Sequence, residues 1–117
     1  MYTFYGLPYC DATKLAMDWF NARHIAFTLH DYKTKGITEP VLRRWCDQKG
    51  WETIFNKRST TWRALSPEVQ AAVTNQQKAI EIMLANTSII KRPVIELDEK
   101  VMAVGVNEKE YAKVFGE

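Results

Sequence analysis

The sequence predicts an α/β fold: a mixed β-sheet with helices on both faces and a helical insertion in the middle of the chain. Three features carry that expectation. A short aromatic strand runs through Gly6 and Pro8 into a helix at Tyr2–Lys14. Apolar residues recur at helical spacing along several segments between short strands. The elements follow the order β-α-β, helices, β-β-α.

Tyr2 to Tyr5 is Thr-containing and aromatic, as strands prefer, and Gly6 with Pro8 ends it. A helix is expected from Asp11 to Arg23, where Ala12, Leu15, Ala16, Trp19 and Phe20 form one apolar stripe. Ile25 to His30 alternates apolar and polar residues and predicts a second strand, parallel to the first because a helix connects them. The βαβ unit has a right-handed crossover by default. Asp31 to Gly36 is polar and turn-rich.

Thr38 can cap the next helix, with Pro40 in its first turn, an inner face of Val41, Leu42, Trp45 and Cys46, and Gly50 as its stop. Trp51 to Leu65 interleaves Trp51, Ile54, Phe55 and Trp62 with Lys57, Arg58 and Arg63. Ser66-Pro67 opens a short helix, and Thr74 to Asn86 predicts another, with a Thr74/Gln77 capping box and Ala79, Ile80, Met83 and Leu84 buried. Val94–Leu97 and Val101–Val104 form a hairpin over Asp98-Glu99-Lys100, and Asn107 with Glu110 starts a last helix that packs Tyr111, Val114 and Phe115 inward. This order is the thioredoxin-like (glutaredoxin-like) arrangement. Residues 1–36 and 87–117 form its core within a single domain of 1–117, and about 51–86 form the helical insertion.

Length and charge restrict the function. The 117 residues suit one domain able to bury a core, and a net charge of +2 leaves no broad electrostatic footprint for nucleic acid. No apolar run reaches the ~20 residues of a membrane span, and the N-terminus lacks a secretory pattern. A cytoplasmic monomer is expected. Two cysteines, Cys10 and Cys46, fit a reducing compartment better than a disulfide framework. His24 and His30 stand at no metal-ligand spacing from either cysteine, so no metal is expected.

Cys10 carries the chemistry. Placed at a helix start, its thiol faces exposed amides and the positive helix end, which favours thiolate below the free-cysteine value of roughly 8.5. Cys46, beside Leu42 and Trp45 on an apolar helix face, fits a packed core thiol. Thr13 stands where a Cys-x-x-Cys motif would put its second cysteine, so this site cannot resolve itself. A thiol from elsewhere must release any adduct on Cys10, and glutathione is the abundant candidate. Thr13 either hydrogen-bonds the thiolate or serves as a first-turn helix residue. Ala16 occupies the position at which a phosphatase-type anion loop needs arginine. Arg58 and Arg92 are the cationic candidates: a guanidinium near Cys10 would stabilise the thiolate and offer a fork to a carboxylate or oxyanion. Arg92 precedes Pro93, where extended backbone suits the approach of a ligand.

Four stretches in order, Tyr5-Gly6-Leu7-Pro8-Tyr9-Cys10-Asp11, His30-Asp31-Tyr32, Asn56 to Arg63 and Ile90-Lys91-Arg92-Pro93-Val94, resemble the ArsC/Spx/YffB family over nearly the whole chain. The resemblance implies a thioredoxin fold with a helical insertion. It also implies Cys10 as nucleophile and Arg58 and Arg92 as the first two of the arsenate reductases' three arginines; the substrate contacts expected are Thr13, Arg58, Arg92 and Pro93. The third arginine would fall near Gly105 and is missing, which counts against arsenate. Spx-type regulators, which bind RNA polymerase, carry a Cys-x-x-Cys switch that Thr13 removes. The YffB-like group fits best. By that resemblance the expected activity is glutathione-dependent thiol-disulfide reduction. The alternatives are glutaredoxin-linked reduction of arsenate or another oxyanion, and a non-enzymatic protein-binding role. The partner expected is glutathione or a small thiol or disulfide.

Overall fold

The computed structural model describes residues 1–116; Glu117, which closes the expected core segment 87–117, lies outside the described residues. Two compact units are formed, Met1–Gly36 with Arg92–Glu117, and Ile37–Lys91. The second unit is larger than the expected insertion at 51–86, because the helix before it packs within that unit.

The first unit holds β1 (Tyr2–Gly6), α1 (Asp11–Ala22), β2 (Phe27–Asp31), a one-turn α2 (Tyr32–Lys35), and, after the second unit, β3 (Val94–Leu97), β4 (Lys100–Val104) and α8 (Glu108–Phe115). Its four strands lie in the order β2-β1-β3-β4, with β1 and β2 parallel and the other pairs antiparallel. This is the thioredoxin-like mixed sheet that the element order predicts. Pleating turns Tyr2 and Phe4 to the same side of β1. There Phe4 meets Ala16, Trp19 and Phe20 of α1, Ile95 and Ala103 of the hairpin, and Tyr111 and Phe115 of α8. Edge-to-face rings hold this layer, with Phe4–Phe20 and Phe20–Phe115 centroids both 4.7 Å apart.

Several local expectations shift. Leu15 is 57% exposed, while Thr13 is buried in its stead. Thr13 packs on Gly6 and so fixes the inner face of α1, and Leu15, two residues on, falls roughly 200° around the helix from it. Lys100 belongs to β4, and the hairpin turn is the pair Asp98 and Glu99, both at positive φ (51° and 68°), as the twist of a two-residue turn requires. Asp31–Gly36, expected as a polar turn, contains α2, whose start is capped by Asp31 Oδ1 accepting from Lys33 N–H at 3.0 Å.

The second unit is helical: α3 (Glu39–Lys49), α4 (Trp51–Ile54), α5 (Thr60–Ala64), α6 (Pro67–Ala72), α7 (Gln76–Ala85) and a 3₁₀ turn at Thr87–Ile89. Its core includes Leu42, Trp45, Ile54, Phe55, Ile80, Met83, Ile89 and Ile90. Polar ties fix α3 to α7, Gln76 Nε2 donating to Asp47 at 2.8 Å and Arg43 to Gln77 at 2.7 Å. The cap of α7 is Asn75 rather than Thr74. Asn75 Oδ1 accepts from Lys78 N–H at 3.0 Å, so the Thr74/Gln77 box does not form, and Leu84 is left 36% exposed. No helix among the described residues is long and apolar enough to cross a membrane.

Candidate active site

Gly6 closes β1, and Leu7 to Tyr9 make the loop that delivers Cys10 as N-cap of α1, in extended backbone with φ −80° and ψ 128°. The loop is fastened by Cys10 N–H donating to Leu7 O at 3.0 Å, and the helix begins with Lys14 N–H donating to Cys10 O at 2.9 Å. A cap residue normally offers oxygen to the first free amides. Here a larger and softer sulfur stands in that place. It closes no cap hydrogen bond of standard geometry, yet the amides of Ala12 and Thr13 both bear on it.

Arg92 supplies the side-chain partner. It ends the connection into β3, is followed by a cis peptide bond to Pro93, and its Nε donates to Cys10 Sγ at 3.4 Å across 82 positions of chain. Pro93 is buried, and its carbonyl accepts from Gly105 N–H at 2.8 Å, joining the residue after Arg92 to the end of β4. Burial pushes the partly buried Cys10 thiol up. The Thr13 amide, the Arg92 hydrogen bond, the Ala12 amide and the Arg92 charge together outweigh it, and the thiol titrates below its ordinary value. Arg92 responds reciprocally: burial lowers its pKa, but the hydrogen bond to Cys10 and the neighbouring Tyr32 hydroxyl, which lies beside it without a hydrogen bond of standard geometry, hold the guanidinium more firmly charged.

Thr13 is fully buried, and its Oγ1 accepts from Leu7 N–H at 3.4 Å. It therefore braces the cysteine loop with its hydroxyl while its amide serves the sulfur. Gly6 must be glycine for this packing, since a Cβ there would lie 2.6 Å from Thr13 Oγ1. Arg58 belongs to the helical unit, exposed in the turn before α5, where its N–H donates to Asn56 Oδ1 at 3.0 Å and Ser59 Oγ caps α5 by accepting from Trp62 N–H at 3.3 Å. Cys46 is the opposite of Cys10: buried, beside Asp47, with its thiol pushed up to about 11 by burial first and the carboxylate second. The described residues contain no group of three or more His, Cys, Asp or Glu side chains placed to hold a metal ion.

One further member of this neighbourhood is not among the site residues expected from the sequence. Tyr32, the first residue of α2, is 2% exposed, and its hydroxyl lies beside Arg92 near Cys10. Its signs in the sequence are its place in His30-Asp31-Tyr32, one of the four stretches that carry the family resemblance, and its standing as a lone aromatic in the polar stretch Asp31–Gly36.

Comparison with known proteins places this arrangement in a family. A solved structure named YffB protein is 42% identical and superposes with a TM-score of 0.90, covering 97% of this chain and 98% of its own. The solution structure of an arsenate reductase (ArsC) related protein from Brucella melitensis is 37% identical, TM-score 0.78, covering 99% of this chain and 95% of its own. A global transcriptional regulator Spx of Streptococcus agalactiae is 30% identical over 112 residues, 94% of this chain and 80% of the relative. The model of the ArsC family matches residues 5–114, which takes in Cys10, Tyr32, Arg58 and Arg92 alike, and the chain belongs to the ArsC family.

Proposed function

We propose that the protein is a glutathione-dependent thiol-disulfide reductase acting through the single nucleophile Cys10. The observation that carries this reading is the 3.4 Å bond from Arg92 Nε to Cys10 Sγ at the start of α1. It favours a nucleophilic thiolate and keeps a cation beside the reacting sulfur. The Cys10 thiolate attacks the glutathione sulfur of a mixed disulfide. A Cys10–glutathione disulfide forms, and the substrate sulfur leaves as a thiolate that takes a proton from solvent. A second glutathione, as thiolate, attacks the glutathione sulfur of that adduct, releasing oxidised glutathione and restoring the Cys10 thiolate. No second protein thiol is needed, consistent with Thr13 in the resolving position and with the unreactive setting of Cys46.

In this reading Arg92 holds a glutathione carboxylate as well as the thiolate. Arg58 enters through its place in the Asn56–Arg63 motif, and Thr13 and Pro93 shape the surroundings of the sulfur. The test is turnover of a glutathionylated peptide with glutathione, followed by formation of oxidised glutathione. Turnover should vanish in Cys10→Ser and survive in Cys46→Ser; a wild-type protein that does not turn over overturns the reading. Relatives named as transcriptional regulators favour one second reading, a protein-binding role, which would leave partner binding intact in Cys10→Ser.

A further inference from the structure

The Tyr32 hydroxyl is the one buried side-chain nitrogen or oxygen without a hydrogen-bond partner found among the described residues. Buried hydroxyls are ordinarily paired, and phenylalanine would fill the same space with no polar group to satisfy. The position of this orphan is specific. Gly6 of β1 pairs with Asp31 of β2 at one end of the sheet. The chain leaves β1 there to reach Cys10, and leaves β2 there to begin α2 with Tyr32. On the other side of β1, Tyr5 pairs with Val94, two residues after Arg92, so the three side chains converge at one sheet end.

The phenol cannot be an anionic partner for Arg92. Burial raises its pKa, the neighbouring Arg92 guanidinium opposes this, Cys10 and Tyr9 add to it, and the net direction is up. It remains a donor throughout the neutral range. A guanidinium beside the oxygen attracts its lone pairs and repels its proton, so the O–H is best turned away from Arg92. No group of the described residues, the sulfur included, receives it. The acceptor is not supplied by the chain itself.

We propose that Tyr32 is a substrate-binding residue whose hydroxyl donates to an acceptor oxygen, a carboxylate or an inorganic oxyanion, seated against Arg92 beside Cys10. This rests on the Cys10–Arg92 site of the preceding reading and extends it. The anion and the reacting sulfur are held by different groups: Tyr32 grips the ligand, whereas Arg92 serves both.

The test measures protection of Cys10 from iodoacetamide by S-methylglutathione, which carries the carboxylates but cannot react, and separately by sulfate. In Tyr32→Phe the protecting concentration should rise about 10- to 150-fold for at least one of them, the value of one hydrogen bond to a charged group. The Cys10 titration midpoint should stay in place and the melting temperature should not fall. Loss with the tripeptide alone assigns a carboxylate, and loss with sulfate alone assigns an oxyanion. An unchanged protecting concentration, no protection of the wild type by either anion, or a Cys10 midpoint that moves up with the substitution each overturns the proposal. Turnover plays no part in this readout, so a wild type lacking reductase activity defeats the function while the Tyr32 result stands.

Discussion

Arg92 is the residue to which the thiol should answer most directly. Arg92→Ala removes both a hydrogen bond and a charge from the Cys10 sulfur. The midpoint of Cys10 alkylation against pH should move up toward the ordinary thiol value of roughly 8.5, and reaction with oxidised glutathione at pH 7 should slow about 10- to 100-fold. An unmoved midpoint would show that the helix amides alone set the thiol. The sign for stability follows. A folded thiol that titrates below its unfolded value binds fewer protons than the unfolded chain in between. The stability it contributes is therefore complete above roughly 8.5 and is lost as pH falls through the folded value. Cys10→Ser should remove that part of the pH slope in urea unfolding. Cys10 and Arg92 were legible because turn residues and a proline mark their places in the chain. Tyr32 was not, because a single helical turn is too short to show a period, and its burial depends on what the sheet end gathers around it.

The cysteine loop and α1 are joined by the packing of Thr13 on Gly6. Gly6→Ala forces a contact that the fully buried Thr13 cannot leave by rotating outward. It should cost about 1–3 kcal/mol in chemical denaturation, and because the first turn must shift, alkylation of Cys10 at pH 7 should slow as well. Thr13→Ser in the Gly6→Ala background removes the methyl but keeps the hydroxyl that makes the closest approach, so it should restore little. Stability unchanged in Gly6→Ala would contradict the packing described here. Most elements were readable from local signals: Gly50 stopping α3, Ser66-Pro67 opening α6, and Asn107 capping α8 by accepting from Glu110 N–H at 3.1 Å. Ends with two candidate residues were not. Asn75 displaced Thr74 as a cap, in keeping with the stronger capping of Asn, and Lys100 joined β4 once Asp98 and Glu99 formed the turn.

For the chain as a whole, the order of elements revealed a thioredoxin-like sheet because short strands, helix stripes and turn residues all pointed the same way. The extent of the helical unit was less legible, since α3 reads equally well as part of the βαβ succession until its packing with α4 and α7 is seen. Family membership narrows the chemistry without fixing it, because relatives include both a regulator and an arsenate reductase related protein. Gly105, which follows β4, stands at φ 78°, a backbone conformation that favours glycine. The proposed chemistry needs one reactive sulfur out of two. Incubation of the native protein with oxidised glutathione, followed by peptide mass spectrometry, tests this most directly. One glutathione adduct is expected, on Cys10, removed by excess glutathione and absent from Cys10→Ser. An adduct on Cys46, or an unmodified Cys10, would contradict it.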